Sequence, residues 1–365
     1  MCGTDQCGMD HIEAPAIPKD AQKKIAHLQE EFIRAEVEQL RKSVPILQPL
    51  FKKRNEIISL PEVQSDFWIR VFSSAPAEID EYILPTDAAV LGAALKNMTV
   101  ERFEVDAQGN GEPRSLRFTF DFQSGEENPF FENSQLVKEF YWRKQIIRTS
   151  KGKRLTWEGL VSDPVRINWK KDMDLTKGLL DAACDLFDAE KKGGDRKKLP
   201  QYEALVKKIA EVEAEEDEED MDEDDEDEDP ESPAGSSFFA FFGYRGRDVS
   251  AAISKMSNKE DDERFAKILK GEEVEGDDDS DDEDDDIEEE LADDLEDAEI
   301  FPSGEELAIS LAEDLWTDAM KYYVESFRLG DELDMEDLDM DEIDAMDEEE
   351  DSGEGESRPS KKARN

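Results

Sequence analysis

Charge in this chain is segregated so sharply that no single folded body can hold all of it. Of 365 residues, the first 210 carry 32 Lys/Arg against 34 Asp/Glu, whereas residues 211–365 carry 13 against 64. The formal net charge of −53 therefore lies almost wholly in the second stretch. Its acidic runs repel themselves and lack the apolar surface to offset the entropy of ordering, so they are expected to stay disordered. The first stretch is balanced and rich in Phe, Trp, Leu and Ile, and can bury a core. Cys2, Cys7 and Cys184 make no disulfide framework and read as reduced thiols. The opening MCGTDQCGMDHIEAP lacks a basic region followed by an apolar run, so it does not read as a signal peptide. No stretch approaches the ~20 apolar residues of a membrane span, so no membrane partner is expected.

The balanced half opens with a helical pattern over 19–60. Ile25, Leu28, Phe32, Val37, Leu40, Val44, Leu47 and Phe51 recur at steps of three and four, with a small phase shift near Ile33, among Lys, Glu, Gln and Arg. Such a helix is ~60 Å long, more than one core of this size can cover. A second copy of the chain is expected on the stripe. The alternative is an ordinary core helix broken in two at Pro45, because Pro45 and Pro49 each remove a backbone donor.

Phe67, Trp68, Val71 and Phe72 predict a short helix, followed by turns around Pro76 and Pro85. Strands are predicted at Met98–Val105, Arg114–Phe122 (RSLRFTFDF, strictly alternating), Leu136–Arg148 and Val165–Lys170. Short connections between them predict an antiparallel sheet with one face on helices. Residues 178–210 read as charged helical pieces, and Val249–Lys270 as a modest helix. Leu307, Leu311, Leu315, Trp316, Met320 and Tyr323 sit at helical spacing within Glu305–Phe327 and should dock on the core. The fold class is therefore α+β.

In Glu211–Asp229, 16 of 19 residues are acidic. Extended, that is one charge per ~4 Å, close to the ~3.4 Å of a single DNA strand. Glu215, Glu216, Asp217, Asp224, Asp225, Asp284, Asp285, Asp286, Glu348, Glu349 and Glu350 are the candidate contacts to basic proteins, of which histones are the most basic. Arg358, Lys361, Lys362 and Arg364, in RPSKKAR, form a basic cluster after an acidic tract and read as a nuclear import signal. The expected site of action is the nucleus, with shuttling to the cytoplasm left open. His11 and His27 are the only histidines. No phosphate-cradling glycine loop, HExxH, GxSxG or calcium-loop spacing occurs, so neither catalysis nor a cofactor is expected.

With these residues assembled, the chain resembles the nucleosome assembly protein family, and within it the SET/template-activating-factor branch. The resemblance rests on QPLFKKRNEII (Gln48–Ile58) with Phe67-Trp68, on NPFFEN (Asn128–Asn133), on LVKEF and INWKKDMDLT, on SFFAFF (Ser237–Phe242), and on Leu315–Tyr323. It implies a headphone-shaped homodimer in which paired long helices each carry an α+β "earmuff" domain. It also implies binding of core histones, with linker histone as a further candidate. Because the sequence shows no ATP site, nucleosome assembly and disassembly are expected to proceed without ATP, and no sequence-specific contact to nucleic acid is expected. The expected division is a disordered start (1–18), a dimerisation helix (19–60) and a histone-binding earmuff (61–327). Acidic disordered insertions fall at 211–235 and 271–300, and an acidic tail (328–365) ends in the basic cluster. The phenylalanines of NPFFEN and SFFAFF are expected to pack the core rather than touch a partner. Two other readings remain open: a nuclear phosphatase inhibitor or scaffold, as the SET branch suggests, and an acidic ion-buffering protein.

Overall fold

The computed structural model describes residues 17–149, 153–220, 237–272 and 295–336. Its first element is one uninterrupted helix, α1 (Lys19–Ile58), whose 40 residues run through both Pro45 and Pro49. The break at Pro45 does not occur. Each proline leaves one carbonyl without its usual donor, and the neighbouring turns keep theirs. The turn at 108–113 lies against this stretch, with Arg41 Nε donating to the Gly111 carbonyl at 2.7 Å. Gly111 is required there. Its φ is +116°, and a Cβ would come within 1.8 Å of the Glu104 carbonyl oxygen.

Short helices α2 (Pro61–Gln64), α3 (Phe67–Ser73), α4 (Ala77–Asp80) and α5 (Pro85–Ala94) lead into the sheet. Pro76 and Pro85 start helices rather than merely turning the chain, since a proline at a helix start loses no internal bond. Strands β1 (Leu95–Glu101), β2 (Leu116–Phe122), β3 (Gln135–Arg148) and β4 (Arg154–Ser162) form an antiparallel meander in chain order. Met98 faces Phe120, Val100 faces Phe118, and Leu136 faces Phe120 in the register. The inward face carries Met98, Val100, Leu116, Phe118, Phe120, Phe122, Leu136 and Phe140, all buried.

Two strand assignments need correction. The first strand begins at Leu95 and ends at Glu101; of the residues beyond, Val105 makes only an isolated bridge to Gly111. The fourth is Arg154–Ser162, not Val165–Lys170. A long hairpin register with β3, from Phe140↔Ser162 to Arg148↔Arg154, decides this. Val165–Lys170 instead supplies one bridge, Phe131↔Trp169.

After the sheet come α6 (Leu179–Glu190), α7 (Pro200–Asp220), a 3-10 segment at Phe238–Gly243, α8 (Ala251–Leu269), α9 (Gly304–Ser310) and α10 (Trp316–Glu336). A wide π turn, Leu311–Leu315, joins α9 to α10. Helix α7 carries helical backbone ten residues into the acidic run, to Asp220, and α10 runs to Glu336, past the expected boundary at 327. Leu307, Leu311 and Leu315 are fully buried, so the last helical segment docks on the core as its pattern predicts.

Candidate functional site

The α1 stripe divides in two. Toward the N-terminus, Ile25, Leu28, Phe32 and Ile33 lie open, Phe32 with 61% of its surface exposed. Toward the C-terminus, Leu40, Val44, Leu47 and Phe51 line a cleft of about 970 Å³ whose far wall includes Val100, Phe103 and Trp316. Val37 is half-buried. A 61% exposed Phe on a helix is an apolar surface without a cover in a single chain.

The end of α1 is fixed to α10. Phe51 and Trp316 lie 5.5 Å apart, and the Trp68 and Trp316 rings stack at 6.0 Å. The Arg54 guanidinium sits 3.9 Å over the Trp316 ring, and burial lowers its pKa to about 10. These contacts fasten the end of the rod to the domain.

The NPFFEN segment is a clasp. Asn128 Oδ1 accepts from the backbone N–H of Phe130 (3.0 Å) and Phe131 (3.3 Å). Asn133 Oδ1 accepts from Asn168 N at 2.7 Å, tying INWK alongside. Phe131 is buried edge-on against Phe122 at 4.9 Å and Trp169 at 5.4 Å, while Phe130 is only partly buried. In SFFAFF, Phe238, Phe239, Phe241 and Phe242 are all fully buried, packed on Phe118, Phe120 and Phe131. Both motifs build the core.

Two buried ionisable groups and one half-buried one hold this layer together, and the sequence reading did not single them out. Asp87 accepts from Ser237 Oγ (2.5 Å), Phe238 N (2.8 Å) and Leu84 N (3.1 Å), and burial pushes its pKa up. Lys138 is fully buried and donates to the carbonyls of Asp163 (2.9 Å), Phe242 (3.1 Å) and Tyr244 (2.7 Å). Desolvation depresses its pKa to about 7. Glu299 accepts from the N–H groups of Arg245 (2.9 Å), Gly246 (3.0 Å) and Phe301 (3.1 Å), with its pKa raised by burial. Period two in LVKEF puts Lys138 on the core face between Leu136 and Phe140; that signal was readable.

Of the candidate acidic contacts, Glu215 is exposed on α7, and Glu216 and Asp217 continue that helix. Asp224, Asp225, Asp284, Asp285, Asp286, Glu348, Glu349 and Glu350 lie outside the described residues, as do Arg358, Lys361, Lys362 and Arg364. The described chain re-enters the core at Ser237 and Leu295, both buried, so each internal acidic run is anchored at its far end. Among the described residues, no group of His, Cys, Asp and Glu could hold a metal, and no helix is long and apolar enough to cross a membrane. Cys184 is buried, its thiol pushed up to about 11 by desolvation.

Residues 60–326 match the family model described as nucleosome assembly protein (NAP), a stretch that begins just after α1. A Schizosaccharomyces pombe protein named for nucleosome assembly is 32% identical over 166 residues, covering 46% of this chain and 64% of its own length. Protein SET of Drosophila melanogaster is 30% identical over 134 residues, covering 36% of this chain and 42% of its own. The matched stretch thus spans less than two thirds of either relative. Among solved structures, Ccp1 is 24% identical with a TM-score of 0.45, covering 85% of this chain and 96% of that one. Vps75 is 17% identical with a TM-score of 0.44, covering 85% and 99%. Because the family model takes in most of the chain, from the end of the long helix through the sheet to the last helix, this chain belongs to the nucleosome assembly protein family.

Proposed function

We propose that the chain is a histone chaperone acting as a homodimer without ATP. The observation that carries this reading is the division of charge: residues 1–210 are nearly balanced, and 64 of the 98 acidic residues gather beyond residue 210. Basic proteins bind DNA largely by releasing its counterions, and a carboxylate string of similar charge spacing offers the same exchange. The acidic runs then compete with DNA for histone surfaces, and the folded domain supplies shape. Histones pass on by mass balance, with core histones as the first partners and linker histone as a second class.

Two relatives support the reading by name only, one for nucleosome assembly and one as SET. The open stripe at Ile25, Leu28, Phe32 and Ile33 supports the dimer, because a second α1 would cover it. The terminal Arg358, Lys361, Lys362 and Arg364 support nuclear import, and residues 1–18, 19–60, 61–327 and 328–365 are the proposed functional divisions.

The test titrates each purified histone pair against the full chain and against a chain ending at residue 330, across a salt series. Binding should fall steeply with salt and fall further on truncation. Indifference to histones at low salt overturns the reading. Sedimentation of Phe32→Glu/Leu28→Glu tests the dimer separately: it should run as a monomer, and an unchanged mass refutes the role of the stripe.

A further inference from the structure

The β3–β4 hairpin projects past the rest of the sheet. Pairing with β2 stops at Leu116↔Phe140, whereas pairing with β4 continues to Arg148↔Arg154. Beyond residue 140, β3 therefore has no strand on its other side among the described residues. An open edge presents main-chain donors at every second residue, the template on which another strand docks. Here hydroxyl groups take the donors instead. Trp142 N donates to Ser115 Oγ (2.9 Å), Lys144 N to Ser254 Oγ (3.0 Å) and Ile146 N to Ser257 Oγ (3.2 Å). Ser254 and Ser257 stand one turn apart on α8, which lies along this edge.

Helix α8 has little apolar hold on what it covers. Its buried residues are Ser254, Ser257 and Asp261, while Ile253, Met256 and Leu269 face outward, Met256 with 74% of its surface exposed. Ion pairs do the holding. The Asp261 carboxylate meets Lys144 Nζ (2.7 Å), Arg154 Nη2 (2.7 Å) and Arg34 Nη2 (2.9 Å). Asp262 pairs with Arg34 at 2.7 Å, Glu260 with Arg148 at 2.5 Å, and Arg264 with Glu30 at 3.0 Å. Phe265 adds one contact, beneath the Arg34 guanidinium at 4.2 Å. The outer pairs, Glu260–Arg148 and Asp262–Arg34, weaken with salt, whereas the Asp261 pairs are largely shielded from it.

With α8 lifted, the edge displays the amides of Lys144 and Ile146 beside Arg34, Lys144, Arg148 and Arg154, with Glu158 retained on Lys144 at 2.7 Å. Donors at two-residue spacing match the carbonyls of an extended chain, and the cations match carboxylates on it. The α8 groups already stand in for both: serine hydroxyls for carbonyl oxygens, Asp261 for a side-chain carboxylate. We propose that α8 is a removable cover, and that the β3 edge beneath it binds an extended acidic peptide by strand addition. The partner class is opposite in charge to histones, so this surface is separate from the proposed histone reading.

The probe is a fluorescein-labelled peptide of alternating Val and Glu, titrated against the full chain and against Ser257→Ala/Asp261→Asn, which loosens the cover. The variant should bind the peptide about tenfold tighter, a difference of ~1.4 kcal/mol. Hydrogen exchange at the Lys144 and Ile146 amides should speed up in the variant, and in the unmodified protein as salt rises, while Phe118 and Phe120 stay protected. Bound peptide should restore protection. The proposal is overturned if the variant gains no affinity, or if a peptide N-methylated at alternate residues binds equally. It also fails if a thymidine oligonucleotide binds more tightly than the peptide, or if Lys144 and Ile146 exchange only together with Phe118 and Phe120.

Discussion

Two layers cover parts of the same sheet and are held by different forces. On the inward face, Phe238, Phe239, Phe241 and Phe242 interleave with Phe118, Phe120 and Phe131, excluding water completely. Along the projecting hairpin, α8 is held through serine hydroxyls and the Asp261 carboxylate, which Arg34, Lys144 and Arg154 reach across from outside the helix. The first kind of contact resists salt and costs much to disrupt. The second is specific in geometry yet weak in net energy, since each ion pair must first shed its water. A rigid domain can thus carry a detachable part without a loose core.

The largest expected effect separates the layers. Phe241→Ala should cost ~3–5 kcal/mol, read as a fall in the urea midpoint, because the cavity it leaves lies among aromatic rings that cannot close over it. A loss below ~1 kcal/mol would mean that the aromatic layer is not the source of cohesion. Asp87→Ala should cost ~2–3 kcal/mol, since it strands the buried Ser237 hydroxyl and the N–H groups of Phe238 and Leu84. Asp87→Asn, which keeps an acceptor oxygen, should recover part of that in the same denaturation measurement.

Lys138 gives a pH signature. Its folded pKa, about 7, lies below the ordinary 10.5, so between these values the unfolded chain holds the extra proton. Stability should therefore rise with pH across that window, by up to ~1.4 kcal/mol per unit, and the penalty is fully present below pH 7. Lys138→Met removes the slope and takes the donor from the Tyr244 carbonyl, while the Phe242 carbonyl keeps Val165 N–H and that of Asp163 keeps Ser162 Oγ. If both proteins show the same slope over that window, Lys138 is not its origin. The smallest effect belongs to the outer layer. Glu260→Ala removes an exposed pair with Arg148 and should change global stability by less than ~0.5 kcal/mol. A larger cost, measured by urea unfolding, would show that α8 shares in the core's cohesion.

How much was legible depends on how far each residue's partner lies along the chain. The alternation in RSLRFTFDF located β2 to within two residues, and the stripe from Ile25 to Phe51 gave α1 almost entire, because both patterns are local. Strand β4 was missed. Its segment RLTWEGLVS follows a cationic stretch and alternates poorly, and only pairing with β3 makes it a strand. Asp87 was missed because its partners, Ser237 and Phe238, lie 150 residues away. Asp261 looked like one acid among many in α8.

By itself, then, the sequence determined the division of charge, the long rod with its apolar stripe, the α+β class and the family motifs. The first three are read from composition or from periods of two and 3.6 residues, which neighbouring residues impose, and the motifs from resemblance to a family. Tertiary structure alone decided which ionisable groups are buried, which strand lies beside β3, and where α8 sits. Burial, register and ion pairing depend on groups far apart in sequence, and only packing brings them into contact.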